Sequence, residues 1–265
     1  MDEIWLPCDN NRNSFRQSGV TSHIEIIEPF LDTDHFNPHK KPWNINNKSQ
    51  FTFLSVFEFI PRKGWDILVE AFARAFKKTD DVCLIIKTHR EHPPMKESDI
   101  KETIKNHLHN KGIIEWPKIL FYVDPIPYSA LPNLYTACDV FVLPTRGESI
   151  CYPALEAMAC GKPCIVTASG GQAEFINEET GYMIDYDTVP VSNFNHSPWY
   201  TSDQMMTEPK LTSLITLMQT CFKDRKEMQN KGLLARHNIE ARHSLAAGYK
   251  RITQRLQQIA KEKNL

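Results

Sequence analysis

Two hydrophobic periods take turns along this chain. From residue 51 onward, short continuous apolar runs alternate with stretches whose apolar residues recur every three or four positions. The runs "FTFLSVF" (51–57), "VCLIIKT" (82–88), "ILFYVD" (119–124), "DVFVLPT" (139–145), "PCIVTA" (163–168) and "GYMIDY" (181–186) read as strands. Between them, 66–76, 98–112, 130–138, 152–160 and 171–177 read as helices. In 66–76, Ile67, Leu68, Ala71, Phe72 and Ala75 share one face. Ser98 is the expected cap of 98–112, with Gly112 at its end. Pro153 falls in the first turn of 152–160, where its missing N–H does no harm.

Strands that lack polar alternation are buried on both faces, and strands alternating with helices form a parallel sheet. The expected fold is therefore α/β: a doubly wound, Rossmann-like parallel sheet of about six strands, followed by C-terminal helices. The common strand order for such a sheet is 3-2-1-4-5-6. That order makes the first and fourth strands neighbours and reverses the direction of winding between them. Ligands bind in the crevice at the carboxyl ends of the strands at this switch point. The loops 58–64, 146–151 and 169–171 converge there, bringing Lys63, Glu148, Gly170 and Gly171 toward one cleft.

Outside the alternation the pattern is weaker. Residues 187–207, "DTVPVSNFNHSPWYTSDQMMT", have no clean period and are expected to form a long ordered loop. Residues 208–222 and 224–242 read as helices, and 245–263 as a basic amphipathic helix packed on the body with its charged face solvated. Near the start, "EIWLPCD" resembles a buried strand.

Composition removes several classes of function. Lys+Arg number 31 and Asp+Glu 32, a formal net charge of -1, which gives no electrostatic footprint for nucleic acid. No apolar run reaches the ~18 residues of a membrane span. The start, "MDEIWLPCDNN", lacks the features of a signal peptide, so a cytoplasmic location is expected, with any membrane contact peripheral. Seven cysteines at irregular spacing argue against a disulfide framework. Cys160 and Cys164 in "CGKPC" have no matching pair, so no metal site is expected. A nicotinamide-dependent oxidoreductase would carry G-x-G-x-x-G after the first strand, where "FEFIPRKG" stands instead.

The cleft residues suit an anionic ligand bearing a sugar. The helix that begins near Tyr152 offers unpaired N–H groups and the positive end of its dipole to a phosphate. The approach lies through "GESIC", by way of Ser149, Ile150 and Cys151. Gly170 and Gly171 offer a second backbone approach, and Lys63 a point charge. Glu156, inside the helix, would accept from a ribose diol, and Glu148, on the loop, would face a sugar hydroxyl. Each residue also has an ordinary structural reading. Glu148 would complement the helix dipole, Glu156 would be a helix-surface residue, Lys63 would be solvated, and the glycines would only make a turn.

The segment "VFVLPTRGESICYPALEAMACGKPCIVTASGGQAEFINEETGYMID" resembles the donor-binding half of family 4 retaining glycosyltransferases, which have the GT-B fold. Their signature is E-x₇-E, matched by Glu148 and Glu156. "LSVFEFIPRKGWDILVEAFARAF" is similar to the strand–loop–helix that carries K-G-x-D, and "SGVTSHIEIIEPFLDTDHFNP" to the interdomain segment. The resemblance divides the chain into an interdomain segment with a remnant of the preceding domain (1–50), a nucleotide-sugar-binding domain (51–242) and a C-terminal helix (243–265). It implies transfer of a glycosyl group from a UDP- or GDP-sugar to a glycan, lipid or protein acceptor, with retention and without a metal. Glu148 would contact the donor sugar, Lys63 would neutralise the departing diphosphate, and Glu156 would hold the ribose. Gly170 and Gly171 would lie beside the phosphates. An acceptor-binding half would be supplied by an N-terminal domain or a separate subunit. Without it the chain would be a catalytically incomplete binding module. Two positions depart from the pattern. Phe57–Glu58 replaces the usual Gly-Arg, so Arg62 or Arg146 is the expected substitute cation, and Ser149 and Cys151 replace glycines.

Overall fold

Strand pairing begins before residue 51. The computed structural model describes residues 2–92, 94–191 and 200–263. Strand β1 (Glu3–Leu6), helix α1 (Asp9–Gln17) and strand β2 (His23–Ile26) open the chain, with β1 and β2 paired in parallel. The expectation of a buried strand at "EIWLPCD" is corrected. Leu6 is buried, but Trp5 is 40% exposed, because a two-stranded sheet has little to bury itself against.

The central sheet holds β3 (Phe51–Glu58), β4 (Val82–His89), β5 (Lys118–Tyr122), β6 (Val140–Leu143), β7 (Cys164–Thr167) and β8 (Gly181–Ile184). All its pairings are parallel, in the spatial order β5-β4-β3-β6-β7-β8. This is the expected 3-2-1-4-5-6 order, with the switch point between β3 and β6. The connections are α2 (Trp65–Ala75), α3 (Glu97–Asn110), α4 (Leu131–Thr136) and α5 (Tyr152–Ala159). Beyond β8 come β9 (Tyr186–Pro190), β10 (Met205–Pro209), α6 (Leu211–Lys223), α7 (Arg225–Arg242) and α8 (Leu245–Lys263).

Three local expectations change. The cap of α3 is not Ser98: Lys96 precedes the helix, and the Asp99 carboxylate accepts from the Lys96 backbone N–H at 2.9 Å. The stretch 171–177 shortens to a 3₁₀ turn, Gly171–Glu174. Part of 187–207 is an antiparallel hairpin, β9 with β10, whose pairing depends on contacts that a short aperiodic sequence does not announce. Residues 192–199 of that stretch lie outside the described residues.

The core forms on both faces of the sheet. Phe51 and Phe53 of β3 meet Phe72, Phe76 and Phe222 in a network of ring contacts with centroids 5.1–6.2 Å apart. This network joins α2 to α6, and α5 packs against α7. The terminal helix α8 returns to the first residues: Arg255 reaches Glu3 at 2.5 Å, and Gly248 abuts the Phe30 ring. All seven cysteines are free and buried. Among the described residues no helix is long and apolar enough to cross a membrane.

Candidate active site

The loops after β3 and β6 are held together at the switch point. After β3 the chain makes a 3₁₀ turn, Pro61–Lys63, and enters α2 through Gly64. Gly64 has φ +69°, and a Cβ there would lie 1.9 Å from the Pro144 carbonyl oxygen. Only glycine fits both the left-handed backbone and that approach. The Arg146 N–H donates to the Arg62 carbonyl at 2.7 Å, and the Thr145 hydroxyl to the same oxygen at 3.1 Å. The K-G-x-D pattern is thus a device that seats one loop against the next.

The same device decides the roles of the cations. Arg146 donates to both carboxylate oxygens of Asp66 at 2.8 Å and to Glu208 at 2.6 and 2.8 Å. It also donates to the Pro61 carbonyl at 2.7 Å. Burial works against its charge, but these two carboxylates more than offset that and hold its pKa above the ordinary value. Arg146 therefore clamps α2, the β6 loop and β10, and its side-chain charge is already satisfied. A part as substitute cation would require it to give up one of these carboxylates.

Lys63 pairs with the Glu148 carboxylate, whose side chain is only 7% exposed. Arg62 stands 3.6 Å from the same oxygen and donates to the Gly147 carbonyl at 2.5 Å. Lys63 and Glu148, expected at one cleft, meet, and Arg62 joins them beside the Glu148 carboxylate. Ser149 is exposed, and its hydroxyl accepts from the Asn11 amide of α1 at 2.6 Å. Ile150 is partly buried. Cys151 precedes α5 and is fully buried, and burial pushes its thiol up to about 12. It is therefore a neutral packing residue at neutral pH. The backbone N–H groups of Ser149, Ile150, Cys151 and Tyr152 have no acceptor among the described residues. They are unspent at and just before the start of α5.

Gly170 and Gly171 sit where the loops after β6 and β7 meet. A Cβ on Gly171 would lie 1.8 Å from the Ser149 carbonyl oxygen, and the Gly171 N–H donates to the Glu148 carbonyl at 3.2 Å. A Cβ on Gly170 would lie 2.7 Å from the Glu148 oxygen. The glycines let the β7 loop press against the Glu148 loop, and Gly171 spends its N–H there.

Glu156 lies in the third position after Pro153 on α5. Its carboxylate accepts from the Tyr135 hydroxyl of α4 at 2.5 Å. Burial raises its pKa from 4.5 to about 7, against the lowering effect of that hydrogen bond. Tyr135 was not foreseen. Its sequence, "LPNLYTAC", reads only as helix core, and the contact spans 21 residues.

A cavity of about 670 Å³ opens at the switch point. Apolar groups form much of its wall: Val56, Val123, Pro125, Ile126 and Leu131. Arg62, Lys63 and Pro153 border it, and Glu58, Lys87 and His89 line it from the ends of β3 and β4. The β4 residues escaped notice because they end an apolar run. A charged side chain in such a run was the available signal. Glu3, His23 and Glu25 also gather, away from this cleft on β1 and β2, where Arg255 neutralises Glu3.

Fold and site together define a Rossmann-type domain with its ligand cleft at the switch point. Residues 37–189 match the glycosyl transferases group 1. The chain belongs to this family, as a GT4-like domain of the GT-B fold. It is 28% identical over 204 residues to the GDP-mannose-dependent alpha-(1-6)-phosphatidylinositol monomannoside mannosyltransferase of Mycobacterium tuberculosis, covering 71% of this chain and 50% of that one. Sucrose-phosphate synthase from Thermosynechococcus elongatus superposes with a TM-score of 0.73 at 20% identity, over 98% of this chain and 59% of that chain. HepE from Anabaena, solved in complex with UDP and glucose, gives 0.71 at 17% identity, over 97% and 63%. The chain spans about half the length of the mycobacterial relative.

Proposed function

We propose that this domain binds the nucleotide-sugar donor of a retaining glycosyltransferase. The observation that carries the proposal is the switch-point cavity, with Lys63 and Pro153 of α5 in its wall and the Glu148 partner of Lys63 lining a second cavity that shares Arg62. The apolar wall suits a flat nucleobase. Glu156 would accept from the ribose diol, replacing the Tyr135 hydroxyl or adding to it. The N-terminus of α5 and Lys63 would meet the diphosphate, and Glu148 the sugar.

In the reaction, the bond from the anomeric carbon to the diphosphate breaks and the diphosphate leaves with the electron pair. The acceptor oxygen forms a bond to the same face of the sugar and passes its proton to the departing diphosphate. The main task of the protein is to stabilise charge developing on the leaving group, by fixed donors in a partly dry site. Lys63 is poised for it. Its partner in the free protein is Glu148, so donor binding would exchange one anion for another. The nearby Arg62 would keep Glu148 balanced during that exchange. We propose that side-chain cations and the helix terminus carry this charge without a metal.

The relative discussed above is GDP-mannose-dependent and HepE was solved with UDP, so both bases are candidates for this chain. An acceptor-binding half, from a preceding domain or a separate subunit, completes the reading, because the chain covers half of its relative. Calorimetry with UDP, GDP, UDP-glucose and GDP-mannose tests it. Micromolar to submillimolar binding of one nucleotide, with its sugar, is the expected result. No heat with any of the four would overturn the reading. Binding with neither transfer nor donor hydrolysis would favour the incomplete module.

A further inference from the structure

With Arg146 committed to Asp66 and Glu208, and Glu58 where an arginine is usual, the cleft is short of a free cation. Lys87 supplies one. It lies near the end of β4, after the buried run Val82–Ile86. Its register partners are Val56 on β3 and Tyr122 on β5. Residues paired across a parallel sheet share a face, and so do residues two apart on one strand. Val56, Glu58, Lys87 and His89 accordingly line the same cavity, together with Arg62 and Lys63.

Among the lysines and arginines of that wall, Lys87 differs. Lys63 is paired with Glu148, and Arg62 stands near the same carboxylate. The Lys87 side chain makes no hydrogen bond and no ion pair among the described residues, although its backbone pairs in the sheet ladder. Burial lowers its pKa, and the field of Asp124 offsets this only in part. A half-buried, unpaired ammonium costs stability and gives the apo fold nothing in return. It does place a positive charge in a cavity wall that also carries Glu58 and Glu91, where an incoming dianion can pair with it.

We infer that Lys87 is a further donor-binding residue whose ammonium pairs with the diphosphate of the nucleotide in the switch-point cavity. The inference rests on the nucleotide-sugar reading above and names the group that replaces the missing arginine. The loss at Phe57–Glu58 is then compensated from the adjacent strand.

The test is titration calorimetry of the whole chain with UDP and GDP, and with uridine and guanosine as controls. Lys87→Met is expected to weaken the bound nucleotide about tenfold or more, the size of a lost charge-assisted contact. Nucleoside affinity stays unchanged, and Lys87→Arg keeps most of the nucleotide affinity. The melting temperature of Lys87→Met equals or exceeds that of the wild type, since an unpaired desolvated charge is removed. Unchanged nucleotide affinity in Lys87→Met, with normal wild-type binding, overturns the role of Lys87 and leaves the nucleotide reading intact. An equal loss for nucleoside and nucleotide assigns the contact to the base and overturns the diphosphate pairing. A wild type that binds neither nucleotide overturns both readings together.

Discussion

Glu156 offers a test in which stability and function pull in opposite directions. Its carboxylate is mostly buried beside Tyr135, and its pKa stands at about 7 against 4.5 in an open chain. Below about pH 4.5 both folded and unfolded states hold the proton. Between 4.5 and 7 the folded state holds a proton that the unfolded state has lost, so stability falls as pH rises through this window. Above about 7 the loss is complete. At about 1.4 kcal/mol per unit the shift corresponds to about 3 kcal/mol, and residual solvent access brings it to about 2 kcal/mol. Glu156→Gln keeps an oxygen to accept from the buried Tyr135 hydroxyl and removes the charge. The variant is therefore expected to match the wild type near pH 4.5 and to exceed it by about 2 kcal/mol at pH 8. Urea denaturation across pH 5–8 reads this as a midpoint difference growing to about 0.5–1 M. A difference independent of pH, or a variant less stable at pH 8, would refute the reasoning. The same substitution should weaken nucleotide binding, because a neutral amide accepts poorly from a diol. A residue that costs the apo fold about 2 kcal/mol at neutral pH is then explained by its ligand.

Three further outcomes follow from the geometry. Arg146→Ala leaves the Asp66 and Glu208 carboxylates without their shared cation, and is expected to cost about 2–4 kcal/mol in chemical denaturation; a loss under about 0.5 kcal/mol would show that the clamp is ornamental. Gly64→Ala forces a Cβ toward the Pro144 carbonyl at a positive φ, and should destabilise by at least about 2 kcal/mol and lower nucleotide affinity; a variant with wild-type stability and binding counts against the close approach. Glu148→Gln should keep nucleotide binding within a few fold while transfer or donor hydrolysis falls at least about 100-fold, measured by released nucleotide; retained turnover would remove Glu148 from the sugar site.

The sequence by itself determined a great deal here, and for a physical reason. A parallel sheet buried on both faces must be written as continuous apolar runs, and its crossovers as helical periods, so strand order and switch point are legible from residues 51–186. The E-x₇-E and K-G-W-D segments then fall on loops that this order makes adjacent. Local chemistry also announced the Pro153 helix start and the Gly112 helix end. Tertiary structure alone decided which charges are free. In a linear reading Lys63, Arg62 and Arg146 are the candidate cations, and Lys87 only ends an apolar run. In space, Arg146 is consumed by Asp66 and by Glu208, which is 62 residues away, Lys63 and Arg62 face one glutamate, and the Lys87 side chain has no ion pair among the described residues. Likewise the sequence shows Gly170 and Gly171 only as a glycine pair, while the structure shows that carbonyl groups of the neighbouring loop stand where a Cβ would be. Side-chain partnership depends on which loops meet, and the pattern along one strand cannot encode what a different strand brings to it. That is why the cleft was visible in the sequence and the pairing of its charges was not.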